Sequence, residues 1–217
     1  MSELIIIAGP QAAGKSTVIS NLVEQYKGVA PLFGKVKRPL IFPLQESRQI
    51  IVHTHMLLGA IFMNTKHERE VVHCDFRRMR TMSGREDDRL VYLDECNIFT
   101  IAHAKAHGIR NIESFWDQYV THLQKLNAKV IFLDIPSKVS WERRRRKYEE
   151  RLIYFPRADH VDIMRAYENY LTRVQPLLHE VFDRLPLPKI MIDAGQSSKD
   201  VLLEVSHSLV ELSKTFQ

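Results

Sequence analysis

Short runs with apolar centres punctuate this chain at Leu4 to Ala8, Val29 to Phe33, Leu90 to Leu93, Lys129 to Asp134 and Lys189 to Asp193. Runs of this length without polar alternation are the pattern of strands buried on both faces. Between them the apolar residues return every three or four positions. Val18, Ile19, Leu22 and Val23 do so after the first run, and Ile163, Tyr167, Leu171 and Val174 do so near the end of the chain. Further helical patterns cover Glu46 to Met63, a segment from Thr65 carrying Val71, Val72, Phe76 and Met79, and a segment opened by the capping-box spacing of Ser114 and Asp117. Lys27-Gly28 stops the first helix, and Pro136-Ser137 starts another. Asp159 caps a long helix that Pro176 bends or restarts, and Ser198 to Lys214 forms the last one. Strands alternating with helices predict an α/β fold, with a parallel sheet of about five strands covered by helices on both faces.

The turn after the first strand carries the strongest chemical signal. Gly9-Pro10-Gln11-Ala12-Ala13-Gly14-Lys15-Ser16-Thr17 matches the phosphate-binding pattern G-x-x-x-x-G-K-[ST] at every fixed position. It lies between a strand and a helix, as the pattern requires. Gly9 and Gly14 allow the turn and a close backbone approach, and Lys15 can reach terminal phosphates. The Ser16 hydroxyl can ligate Mg²⁺. Gly9, Ala12, Ala13, Gly14, Lys15, Ser16 and Thr17 are therefore the candidate nucleotide-binding residues, with the anion seated on a helix N-terminus. The predicted architecture becomes a P-loop NTPase fold of three layers, αβα.

Acidic and basic groups extend this reading. The strand at Leu90 to Leu93 runs into Asp94-Glu95, a carboxylate pair whose side chains diverge if the strand continues. Asp94 is the candidate for the metal or the acceptor hydroxyl, and Glu95 for substrate contact. Positive charge is dense at Lys35 to Arg38, Arg77 to Arg85 and Arg143 to Lys147. Arg38 precedes Pro39 and is therefore extended, at the carboxyl end of the second strand. Arg77 and Arg78 lie on either a solvated or a phosphate-contacting helix face. Arg143, Arg146 and Lys147 share one helical face by their spacing, suited to closing over a triphosphate.

Composition narrows the field. The chain has 217 residues, enough for one domain over 1–217 with a small helical lid at about 137–158. Its net charge of +5 suits an enzyme of polyanionic substrates, and three separate basic clusters point to phosphate clamps more than to a nucleic-acid stripe. No apolar run is long enough to span a bilayer. Cys74 and Cys96 are the only cysteines, which gives no disulfide framework and suits the cytoplasm. His53 and His55, or His103 and His107, lack a Glu or Cys at metal-ligand spacing.

Taken together, these residues resemble the P-loop kinases of nucleosides and nucleoside monophosphates, especially the thymidylate kinase and deoxynucleoside kinase group. Phe132-Leu133-Asp134-Ile135-Pro136 followed by Glu142-Arg143 looks like the strand, proline turn and E-R helix leading into that group's arginine lid. Ile192 to Ser197 is similar to its adenine-contacting strand and loop, which makes Ala194 and Gly195 candidate nucleotide contacts. The chain departs from the group at Asp94-Glu95-Cys96, where thymidylate kinases have Asp-Arg-Tyr and deoxynucleoside kinases Glu-Arg. The resemblance implies ATP and Mg²⁺ as cofactors, a nucleoside or nucleoside monophosphate as acceptor, and a possible homodimer through long helices. A P-loop kinase of a sugar, antibiotic, polynucleotide end or protein is the alternative, as is an ATP-binding regulatory or nucleic-acid-binding module without catalysis.

Overall fold

A computed structural model of the chain describes residues 4–26, 91–94, 97–106, 116–150, 152 and 157–214. Its centre is β1 (Leu4–Ala8), which pairs in parallel with β2 (Val91–Asp94) on one side and β3 (Lys129–Asp134) on the other. β4 (Lys189–Asp193) pairs in parallel with β3, giving the order β2-β1-β3-β4. All five residues of β1 are buried, which is why its sequence is a continuous apolar run.

Alternation along the strands divides the core in two. Ile5, Ile7, Ile131, Leu133 and Ile192 cluster with Val18, Ile19 and Leu22 of α1 (Lys15–Tyr26) and with Val201, Val205 and Leu212 of α6 (Ser198–Lys214). Leu4, Ile6, Ala8, Val130 and Phe132 cluster instead with residues from three other helices. These are α2 (Thr100–Ala106), α3 (Trp116–Lys125) and α5 (His160–Arg184). α5 contributes most, through Tyr167, Tyr170, Leu171, Val174 and Leu178. α4 (Ser137–Glu149) leaves the carboxyl end of β3 and packs against α5. The result is the expected three-layer arrangement, with four parallel strands among the described residues. The expected strand at Val29 to Phe33, and the helices at Glu46 to Met63 and from Thr65, lie outside those residues.

Two local expectations change. Asp159 stands at the N-cap of α5, but its side chain makes no capping hydrogen bond, because its backbone is helical (φ −90, ψ −10) at the end of a 3-10 turn, Arg157–Asp159. Pro176 does not restart the helix either, since α5 runs unbroken from His160 to Arg184. Burial of Val174, Leu178, Val181 and Phe182 on the same side outweighs the hydrogen bond that proline forfeits. The far end of α5 is closed by a cation from β4: Lys189 Nζ donates to the carbonyls of Phe182 at 2.8 Å, Asp183 at 2.5 Å and Leu185 at 2.8 Å. No described helix is long and apolar enough to cross a membrane.

Candidate functional site

The site grows from the peptide that follows β1. Gly9 has φ 140, and a Cβ there would stand 2.1 Å from the Leu133 carbonyl oxygen of β3, so only glycine lets the chain turn while staying paired to that strand. Ala12 (φ 63) and Gly14 (φ 92) are also left-handed. α1 begins at Lys15, and its first-turn N–H groups have no helical acceptor. No acidic residue lies in that first turn to offset the positive end of the helix dipole. Ala13 is buried in the core beneath the loop, and its N–H donates to the Pro10 carbonyl at 3.3 Å. Ser16 and Thr17 are exposed. Lys15 curls back over the loop, where Nζ donates to the carbonyls of Gly9 at 2.8 Å and Pro10 at 2.9 Å. A ring of backbone dipoles around an ammonium and a helix start is a receptor for an anion of phosphate size.

Strand register brings the acidic end of β2 to the same place. Asp94 is the Cα partner of Ile7, two residues before Gly9. Ser16 is exposed at the loop, and a hydroxyl is among the hard oxygen ligands that Mg²⁺ takes. The expected substrate contacts Arg38, Arg77, Arg78 and Glu95 lie outside the described residues.

On the other flank, α4 lies across the loop. Ser140 is buried, and its hydroxyl donates to the Gln11 carbonyl at 2.6 Å. Arg143 bridges two segments, donating from Nη1 to the Ala12 carbonyl at 3.2 Å and from Nη2 to the Ala194 carbonyl at 3.1 Å. Ala194 is itself fixed to β3, its N–H donating to the Asp134 carbonyl at 2.8 Å, and the Gly195 N–H donates to Asp193 Oδ1 at 2.8 Å. Arg143 thus unites the candidate phosphate loop with the candidate adenine loop. Arg146 and Lys147 are exposed, and Arg146 pairs with Glu150 at 3.4 Å on the surface of α4. Arg144 is half-buried, and its Nε has no hydrogen-bond acceptor among the described residues.

The start of α4 is held by α5. Gln175 Nε2 donates to the Ile135 carbonyl at 2.8 Å, while its Oε1 accepts from the Ser137 N–H at 2.8 Å, so one amide clamps both sides of Pro136. One helical turn on, His179 Nε2 meets Asp134 Oδ1 at 2.8 Å. Higher on α5 the Tyr167 hydroxyl donates to Gln11 Oε1, and its ring packs on Trp141 with centroids 5.8 Å apart. Gln11, Ser140, Tyr167 and Gln175 carried no signal of this in the sequence. Gln11 fills a variable position of the loop pattern, and Tyr167 reads as one more core residue of an amphipathic helix.

No protein-family profile matches the sequence, and no curated protein sequence matches it. Solved structures do. A deoxyadenosine kinase from M. mycoides with bound dATP matches at TM-score 0.53 and 13% identity, covering 95% of this chain and 98% of that one. The same enzyme with products dCMP and a flexible dCDP matches at TM-score 0.56 and 13% identity, covering 96% and 99%. The YorR protein from Bacillus subtilis, in complex with phosphorylated GDP, matches at TM-score 0.51 and 21% identity, covering 99% of both chains. The chain therefore shares its fold with a deoxynucleoside kinase along nearly its whole length.

Proposed function

We propose that the chain is an ATP- and Mg²⁺-dependent kinase that transfers the γ-phosphoryl group to a nucleoside or nucleoside monophosphate. The observation that carries this reading is the loop of Gly9 to Ser16: left-handed Ala12 and Gly14, Lys15 over the loop, and a helix start free of acidic residues. The deoxynucleoside kinase fold favours a nucleoside-type acceptor, which enters between this loop and the end of β2.

In this mechanism, the loop amides and Lys15 hold the β- and γ-phosphates. Lys15 Nζ exchanges its two backbone carbonyls for phosphate oxygens, so that the ammonium has hydrogen-bond acceptors in both states. Ser16 and Asp94 would hold Mg²⁺, which when bound neutralises charge on the β- and γ-oxygens. Asp94, at the end of β2, orients the acceptor hydroxyl, takes its proton, or holds the metal through water. Arg143 keeps the phosphate loop and the Ala194-Gly195 loop at a fixed separation. Arg146 and Lys147 supply positive charge from the outer surface of α4 as charge spreads over the transferring group.

Release of ADP from Mg·ATP, measured with nucleosides and nucleoside monophosphates added one at a time, tests the function. Stimulation by one class establishes the kinase and identifies its acceptor. A flat panel with intact ATP binding rejects this acceptor class and leaves a kinase of another acceptor or a nucleotide-dependent binding module. For the role of the strand-end carboxylate, Asp94→Asn is expected to lower kcat by about 10²-fold while the KM for ATP changes little. Turnover within threefold of the native enzyme would remove Asp94 from the chemistry.

A further inference from the structure

We propose that Tyr167 and Ser140 are positioning residues that aim the phosphate-binding amides of the loop by holding Gln11 from outside. The proposal deepens the nucleotide-binding reading and rests on it. A trans peptide points its carbonyl and its N–H in opposite directions, and the described chain contains no cis bond. The Ser140 hydroxyl holds the Gln11 carbonyl outward, at 2.6 Å. The same plane must then turn the Ala12 N–H toward the opposite side, the inside of the loop. Arg143 holds the next carbonyl, that of Ala12, at 3.2 Å, while the N–H of that peptide, on Ala13, is used inside the loop on the Pro10 carbonyl at 3.3 Å. Tyr167 fixes the side chain of the same residue that Ser140 fixes by its backbone.

The loop needs such ties because its own conformation is costly. Ala12 is a non-glycine residue at φ 63, a state disfavoured by roughly 1 kcal/mol or more for an L-residue. Without external partners the loop would relax away from it, and every bound phosphate would have to restore it. The ties come from a rigid support. Tyr167 is 1% exposed and Ser140 is 1% exposed, and Tyr170, three residues along α5, bonds His103 of α2 at 2.5 Å. The loop is thus referenced to the same buried helix that is bonded to α2, the helix following the acidic strand β2. Preorganisation of this kind raises affinity by removing the ordering cost from the binding step.

Titration with Mg·ADP and, separately, with adenosine tests this directly, because adenosine lacks the phosphates. Tyr167→Phe removes one buried oxygen, and Gln11→Leu removes its acceptor. Each is expected to raise the Kd for Mg·ADP about tenfold, with the Kd for adenosine unchanged within twofold. The double variant should lose less than the product of the two single losses, since both substitutions break the Tyr167–Gln11 hydrogen bond. Ser140→Ala, which frees a different group, should add a further loss in combination with Tyr167→Phe. Equal losses for Mg·ADP and adenosine would make the residues merely structural and overturn the proposal. So would multiplied losses in the Gln11–Tyr167 double variant, or unchanged Mg·ADP affinity. Binding without acceptor-stimulated turnover rejects the kinase reading while leaving this proposal testable by the same titrations. Absence of nucleotide binding by the native chain overturns both.

Discussion

Lys15→Ala is expected to lower ATP turnover by about 10³-fold, the scale of losing a principal charge partner of a transferring phosphoryl group. Among the described residues, Arg143 also bonds the loop, and it is occupied by two backbone carbonyls. Lys15 itself bonds two loop carbonyls, so its removal also loosens the empty loop. Circular dichroism and a melting curve separate the two effects: the fold should persist with a modestly lower midpoint, because α1 and β1 keep their buried contacts. Turnover close to native in a folded Lys15→Ala protein would rule out the assigned chemistry. Lys15→Arg should rescue poorly, since a planar fork cannot replace a compact ammonium inside so small a ring.

The second large effect is on stability. Gly9→Ala is expected to destabilise the protein by about 3 kcal/mol or more, because the added methyl would stand 2.1 Å from a main-chain oxygen of β3. That oxygen cannot retreat cheaply, as it belongs to the strand paired with β1 through Ala8 and Phe132. Gly14→Ala is the control. A Cβ there meets nothing within 4 Å, so only the strain of φ 92 remains, on the order of 1–3 kcal/mol. Urea unfolding of the two variants should therefore rank Gly9→Ala as the more damaging. The reverse order would mean that the β1–β3 approach at Gly9 is looser than its geometry implies.

The architecture was legible from the sequence where residues are governed by local rules. The runs at Leu4–Ala8, Lys129–Asp134 and Lys189–Asp193 are strands with those bounds, and Ser198–Lys214 is a helix with those bounds. β1 and β3 are buried along nearly their whole length, whereas β4 is buried only at Ile192, with Met191 and Asp193 exposed. The strand–loop–helix unit around Gly9 to Thr17 was legible because its residue types stand at fixed spacing. The ties around it were not, because they join residues far apart in the chain through ordinary polar side chains. Gln11 and Tyr167 are separated by 156 positions, and nothing in the composition of either neighbourhood marks the pair. Arg143 shows the same limit in another form: its basic cluster was visible, but only the packing of α4 on the loop explains why it meets backbone carbonyls while Arg146 pairs with Glu150. Of the two outcomes expected at Pro176, a bend or a restart, the restart does not occur, since burial on its flanks keeps the helix continuous.

The long reach of α5 has a consequence for how the protein is made. Synthesis delivers the Gly9–Thr17 loop well before the groups that brace it, which come from positions 140, 143 and 167. A nascent chain halted after α4 would already contain the whole loop pattern, the acidic strand end and the arginine-rich helix. It would still lack Tyr167, the Gln175 clamp, the β4 strand and Lys189, which closes α5. Such long sequence separations make assembly of the region slow relative to helix formation. The loop, made before its braces, is thus among the last parts of this region to become rigid.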